Sequence, residues 1–224
     1  MRAVLILTAV EVETRGLARH LGLQAVSGAS WPHFRGGAIE LACVGLRASA
    51  LHDRASHFRR AALVISAGAC GALVPELAEG ALVVPETVTT EAGERTPLAP
   101  LEGLDARGTL LSVRRVITSA ADKARAWIET GAIACDMESA EIAAWARAQG
   151  RAAAVVRGVS DTADHGVPAD LAAAVGPDGR VRGVAAVRAA LTRRGALRDA
   201  LALRRGTNAA LSTVAGALGR LARS

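Results

Sequence analysis

At 224 residues, 51% of them hydrophobic, the chain is long enough to bury the core of one domain without disulfide or metal staples. Its net charge of +6 rests on arginine, Lys123 being the single lysine, and aromatic residues make up 2% of the sequence. A basic balance so poor in stacking groups argues against nucleic-acid binding, and no run of bulky apolar residues reaches membrane-spanning length.

In chain order, Ala3 to Leu7 is an apolar run of strand length, which reads as a first strand rather than a signal peptide. From Thr8 to Glu13 the chain turns into a helix that ends near Leu21-Gly22. His33-Phe34 and Ile39 to Val44 read as a hairpin joined at Gly36-Gly37, and Ala48 to Arg60 as helical. His52 and His57 stand five apart, which does not put them on one helix face as a metal pair, and they read as surface or structural residues. A buried strand, Leu63 to Ser66, leads into a glycine-rich loop, Gly68-Ala69-Cys70-Gly71, where a ligand can approach the backbone closely. This is no dinucleotide fingerprint, because the third glycine and the ribose-binding acid are missing. Gly80 to Pro85 reads as a strand, residues 91–108 as turn-rich and irregular, and Thr109 to Thr118 as a strand. Ser119 to Asp122 caps a helix that runs to Thr130, with Trp127 assigned to helix packing. Cys43, Cys70 and Cys135, an odd set in apolar or small-residue surroundings, read as buried thiols of a reducing cytosol, with neither a disulfide nor a zinc site.

The most informative stretch is Gly131 to Asp164. Ala132 to Cys135 suits the end of a buried strand. Asp136, Glu138 and Ser139 then open an alanine-rich helix stopped by Gly150, with acids where the helix dipole favours them. Ala152 to Val156 is a second strand, followed by Arg157, Ser160, Asp161 and Asp164. Strand–helix–strand is the unit of a parallel sheet, and ligands in such sheets sit beyond the carboxyl ends of the strands. Met137, Glu138, Arg157, Ser160 and Asp161 therefore fall where a site belongs. The plainer alternative makes the acids helix-terminal decoration and pairs Arg157 with Asp161.

Asp-Met-Glu-Ser at 136–139, with Val-Arg-Gly-Val-Ser-Asp-Thr-Ala-Asp at 156–164, resembles the purine nucleoside phosphorylase and methylthioadenosine/adenosylhomocysteine nucleosidase family. Thr8 to Glu13 resembles its first strand and acid-rich turn, and Ser66 to Leu73 its glycine-rich loop. The resemblance implies a single α/β domain over 1–224, a three-layer sandwich with a mixed, mostly parallel twisted sheet flanked by helices. It implies an enzyme that breaks the N-glycosidic bond of a purine nucleoside. Asp161 would be the general acid toward N7 of the base, with burial raising its pKa. Arg157 would orient Asp161 or meet the nucleophile, and Glu13, favoured by register over Glu11, would position water. Glu138 would bind the ribose hydroxyls, Met137 would pack under the sugar, and Ser160 and Gly68-Ala69-Cys70-Gly71 would line the ribose and base. Many hydrolytic relatives carry a hydroxyl residue where Ala69 stands, and an aromatic on adenine from near Trp127.

The residues leave the nucleophile open. A phosphorylase needs a dianion site, for which Arg47 and Arg157 are the candidates, whereas Leu73-Val74-Pro75-Glu76 stands where another arginine is usual. Neither a metal nor an organic cofactor is implied, inorganic phosphate being the one co-substrate in question. Beyond Asp164, His165 to Pro168 forms a loop near the site, Gly176 to Gly179 a turn, and Val184 to Leu191, Leu197 to Leu203 and Leu211 to Leu221 helices. From about residue 180 the arginines make a basic helical part, either a solvated face or a peripheral contact with anionic lipid at the inner membrane. Thr130 to Ser139 together with this tail resembles the hopanoid-associated phosphorylases, thought to remove adenine from adenosylhopane. The resemblance also implies a homo-oligomer, and the buried thiols and the first strand in place of a signal peptide read as cytoplasmic. The alternatives are a methylthioadenosine/adenosylhomocysteine-type nucleosidase and a non-catalytic nucleoside- or lipid-binding protein.

Overall fold

The computed structural model describes residues 3–166, 176, 178–179 and 196–221. The strands are β1 (Val4–Thr8), β2 (Gln24–Ala25), β3 (His33–Gly36), β4 (Ile39–Cys43), β5 (Leu63–Ala72), β6 (Leu82–Val83), β7 (Thr87–Thr90), β8 (Arg95–Pro97), β9 (Thr109–Ser112), β10 (Ala134–Asp136) and β11 (Ala152–Asp161). The helices are α1 (Glu11–His20), α2 (Leu51–Arg54), α3 (Ala120–Thr130), α4 (Ser139–Ala148) and α5 (Ala196–Leu221). The strands form one mixed sheet in the order β2-β3-β4-β1-β5-β10-β9-β7-β8, with β11 on β5 and β6. β1 runs parallel to β4 and β5, β5 to β11, and β9 to β7 and β10, while β10 meets β5 antiparallel.

Side chains alternate across a strand, so each central strand supplies two layers. Leu5, Leu7, Val64 and Val155 pack with Ile142 and Trp145 of α4 on one face. Ile6, Ile65, Ala154 and Val156 pack with Leu17 of α1 and Val214 and Leu218 of α5 on the other. Helices thus cover both faces, the arrangement that the strand–helix–strand reading implies. Where α5 crosses β11 the backbones touch. A Cβ on Gly158 would strike the Ala210 backbone, and one on Gly206 would strike the Ser160 carbonyl. Small residues at this crossing seat the helix directly beneath the strand end that carries Asp161.

Several expectations change. Gly68 to Gly71 is not a loop, because β5 continues through it. Its partner β11 pairs 157 with 68, 158 with 69 and 159 with 70, and β10 pairs Cys135 with Gly71, so the sheet uses these backbone groups. Gly68 lies at φ +146°, where glycine bears no steric cost. Within the irregular stretch 91–108, β8 returns antiparallel onto β7. The segment 48–60 is broken into a turn at Leu46–Ala48, α2 and a turn at Ala55–His57. The strand expected over Thr109 to Thr118 stops at Ser112. Trp127 is not helix packing, being 40% exposed. The cap at Ser119 is as read, its hydroxyl accepting from Asp122 N–H at 3.1 Å. The helix expected over Val184 to Leu191 and the start of the basic tail lie outside the described residues, whereas the two later helices fall within one, α5. Among the described residues no helix is long and apolar enough to cross a membrane, and no group of three acids, histidines or cysteines could hold a metal.

Candidate active site

The carboxyl ends of β1, β5, β10 and β11 converge on a cavity of about 190 Å³. Glu13, Ala69, Cys70, Gly71, Met137, Glu138, Arg157, Ser160 and Asp161 all line it, joined by Lys123 and Asp136. Gly68 lies behind the wall. A Cβ there would come within 2.7 Å of Glu13 Oε1 and 2.8 Å of Arg157 Nη1, so glycine is what lets the two charged groups meet.

One side of the cavity is built around Arg157, which is 1% exposed. Its Nη2 contacts Asp136 Oδ2 at 2.5 Å and Glu138 Oε2 at 3.7 Å, and donates to Ser66 Oγ at 2.8 Å. Nη1 donates to the Ala69 carbonyl at 3.3 Å, and Nε has no protein partner among the described residues. Asp136 is fixed in turn by the Ser112 hydroxyl at 2.6 Å and the Ser139 hydroxyl at 2.5 Å. Glu138 stands at the start of α4 but does not cap it, its carboxylate accepting instead from Arg47 N–H at 2.9 Å. That N–H is aimed by a strained turn in which Arg47 and Ala48 both have φ of 54°. Glu13 accepts from Ala69 N–H at 2.9 Å and Val10 N–H at 3.3 Å. Burial pushes Glu138 up to about 7 against the opposing pull of Arg157, and burial likewise raises Glu13.

A second part of the lining is built around Asp161. Lys123, buried at 1% exposure, donates to Asp161 Oδ2 at 2.5 Å, to the Thr162 carbonyl at 2.7 Å and to the His165 carbonyl at 2.8 Å. The Ser160 hydroxyl lies 2.6 Å from Asp161 Oδ1 and 3.1 Å from the Cys70 carbonyl. A Cβ on Gly71 would come within 2.9 Å of Asp161 Oδ2, so glycine again makes room for a carboxylate.

The structure therefore brings together every site residue named from the sequence except Gly68, which is not part of the lining, and Arg47. Its side chain is exposed and does not line the cavity, and only its backbone N–H reaches the site. Arg157 does not orient Asp161, since its charged partners are Asp136 and Glu138. Lys123 takes that place. Sequence reasoning missed Lys123 and, as a supporting group, Asp136. For Lys123 the available signal was a single lysine in a chain whose other cations are arginines.

Carboxyl groups lining one cavity, one set beside an arginine and one against a lysine, suit a bond whose two ends take opposite charge as it breaks. Known structures carry the same architecture. Methylthioadenosine nucleosidase from Helicobacter pylori, with 5′-methylthioadenosine in its active site, superposes with a TM-score of 0.71 over 100% of this chain and 99% of its own, at 14% identity. The methylthioadenosine/adenosylhomocysteine nucleosidase of Neisseria meningitidis, bound to methylthio-immucillin-A, gives 0.71 over 99% of each chain at 18% identity. Helicobacter pylori futalosine hydrolase gives 0.70 over 99% and 97% at 15% identity. The fold is the nucleoside phosphorylase and nucleosidase fold. In sequence, residues 105–193 match the Phosphorylase superfamily, a span that includes Lys123, Asp136, Glu138, Arg157 and Asp161. No curated protein matches the chain at a significant level.

Proposed function

We propose that the chain is an enzyme that hydrolyses the N-glycosidic bond of an adenine nucleoside. The observation that carries this reading is that Asp161, Glu138 and Glu13 line one and the same cavity. As the bond breaks, its electron pair stays with the purine, and Asp161 hands a proton to N7 so that neutral adenine departs. Positive charge develops on the sugar, where ionised Glu138 accepts hydrogen bonds from the 2′- and 3′-hydroxyls and balances that charge. Met137 packs beneath the ribose. Glu13 orients water toward the anomeric carbon and takes its proton as the new C–O bond forms.

Water is favoured over phosphate by the charge inventory. Four carboxyl groups and two cations line the cavity. Both cations are paired with carboxyl groups, and of the Arg157 guanidinium only Nε lacks a protein partner among the described residues. That does not make a cradle for a dianion. The bound 5′-methylthioadenosine of the Helicobacter pylori nucleosidase also favours an adenine nucleoside. On the wider surface, Trp127 and Ile128 of α3 are 40% and 80% exposed, apolar area that a homo-oligomer would cover. Similarity of the 130–139 segment to hopanoid-associated phosphorylases makes adenosylhopane, and a place in hopanoid biosynthesis, the specific alternative to a 5′-thio substituent.

The test is adenine release from adenosine, methylthioadenosine, adenosylhomocysteine and adenosylhopane, each with and without phosphate. We expect release at equal rates in phosphate-free buffer. Release that requires phosphate would replace hydrolysis by phosphorolysis, and no release from any of the four would leave a nucleoside- or lipid-binding protein.

A further inference from the structure

We propose that Lys123 is a positioning residue for departure of the base, acting through Asp161. This rests on the reading of Asp161 as the acid at the leaving group. Three observations carry it. All three N–H donors of the ammonium have acceptors: Asp161 Oδ2 and the carbonyls of Thr162 and His165. The side chain lines the same cavity as Asp161, so its charge lies at the site and not behind it. It is also buried at 1% exposure, where water does not screen it.

Two consequences follow. With every donor spent on the protein, Lys123 has no N–H for the substrate and touches the chemistry only through the carboxyl group. Its bonds to Thr162 and His165 tie the chain leaving β11 to α3, which fixes the direction in which Asp161 presents its remaining edge. When the Asp161 O–H bond breaks and a purine N7–H bond forms, a carboxylate remains. The ammonium at 2.5 Å stabilises that carboxylate, an interaction stronger after the transfer than before it and therefore one that lowers the barrier. Lys123 is thus assigned to the leaving-group half of the reaction, and Arg157 to the sugar half.

The experiment replaces Lys123 by methionine, of similar length and without charge, and compares two substrate types. One is an adenine nucleoside cleaved by the wild-type enzyme. The other is 4-nitrophenyl riboside, whose leaving group departs without protonation. We expect kcat for adenine release to fall about 100-fold, within the range for general-acid catalysis, and nitrophenol release to change less than about threefold. Thermal melting of both proteins runs alongside. Equal losses on both substrates would reduce Lys123 to a structural tie, and an unchanged adenine rate would remove it from the reaction. If Lys123→Met does not fold, Lys123→Gln, which keeps N–H donors without the charge, is compared by the same criterion. A wild-type enzyme that releases adenine from none of the four nucleosides overturns the hydrolase reading itself, an outcome distinct from failure of the Lys123 assignment alone.

Discussion

The two sides of the cavity are charged by different designs. Around Arg157, one cation serves three acids, Asp136, Glu138 and Glu13, and burial pushes two of them upward. Around Asp161, one cation serves one acid in a one-to-one contact. The first is a shared network in which no pair can be removed alone, and the second is a local clamp. A network of this kind holds a site's shape and its negative potential, which suits a sugar that becomes cationic. A clamp governs a single proton.

The largest effect that tests this contrast is on folding. Arg157→Met leaves three buried acids without their cation, and we expect about 3–5 kcal/mol of stability to be lost in urea unfolding. A loss much below that would mean that the acids are neutralised by protonation and that no network exists. Next, Asp161→Asn is expected to lower kcat about 100- to 10,000-fold while nucleoside affinity stays within a few-fold by calorimetry, since an amide keeps the shape but cannot donate the carboxyl proton. Turnover that survives this change would move the leaving-group acid elsewhere.

A third test uses pH. Glu138 is pushed from an ordinary 4.5 up to about 7 in the folded chain. Between these values the folded state holds a proton that the unfolded state releases. Stability from this group is therefore present below 4.5 and lost as pH rises through about 7, by up to about 3 kcal/mol. Activity runs the opposite way, because only ionised Glu138 balances a cationic sugar, so kcat/KM rises as pH passes about 7. Glu138→Gln should abolish that rise and remove this part of the stability slope, and a slope unchanged in the variant would assign it to Glu13. Smallest is Ser160→Ala, which removes one hydroxyl beside Asp161 and is expected to cost about 1 kcal/mol, or five- to tenfold in kcat, with no change in the Glu138 pH limb. A shift of that limb would show that the two sides are coupled.

Much of the sugar side was legible in the sequence. Asp136 to Ser139 and Val156 to Asp161 are contiguous segments at strand ends, and strand-end residues of an α/β sheet reach a common edge. Unbroken apolar runs in Ala152 to Val156 and Leu63 to Ile65 place those strands in the interior, where the structure also has them. Less legible were Gly68 to Gly71, where small residues look like a loop and the sheet decides otherwise. Nothing local announces that β11 and β10 both pair with that segment.

What the sequence determined by itself is therefore the set of local elements, the class of sheet and most of the carboxylates in the site, because each follows from short-range periodicity or from one strand end. Tertiary structure alone decided the partners. Lys123 is 38 residues from Asp161, and Arg47 N–H is 91 residues from Glu138. Which cation serves which acid is a matter of distance in space, and the energy of a charge pair depends on that separation and on burial, neither of which a linear pattern encodes.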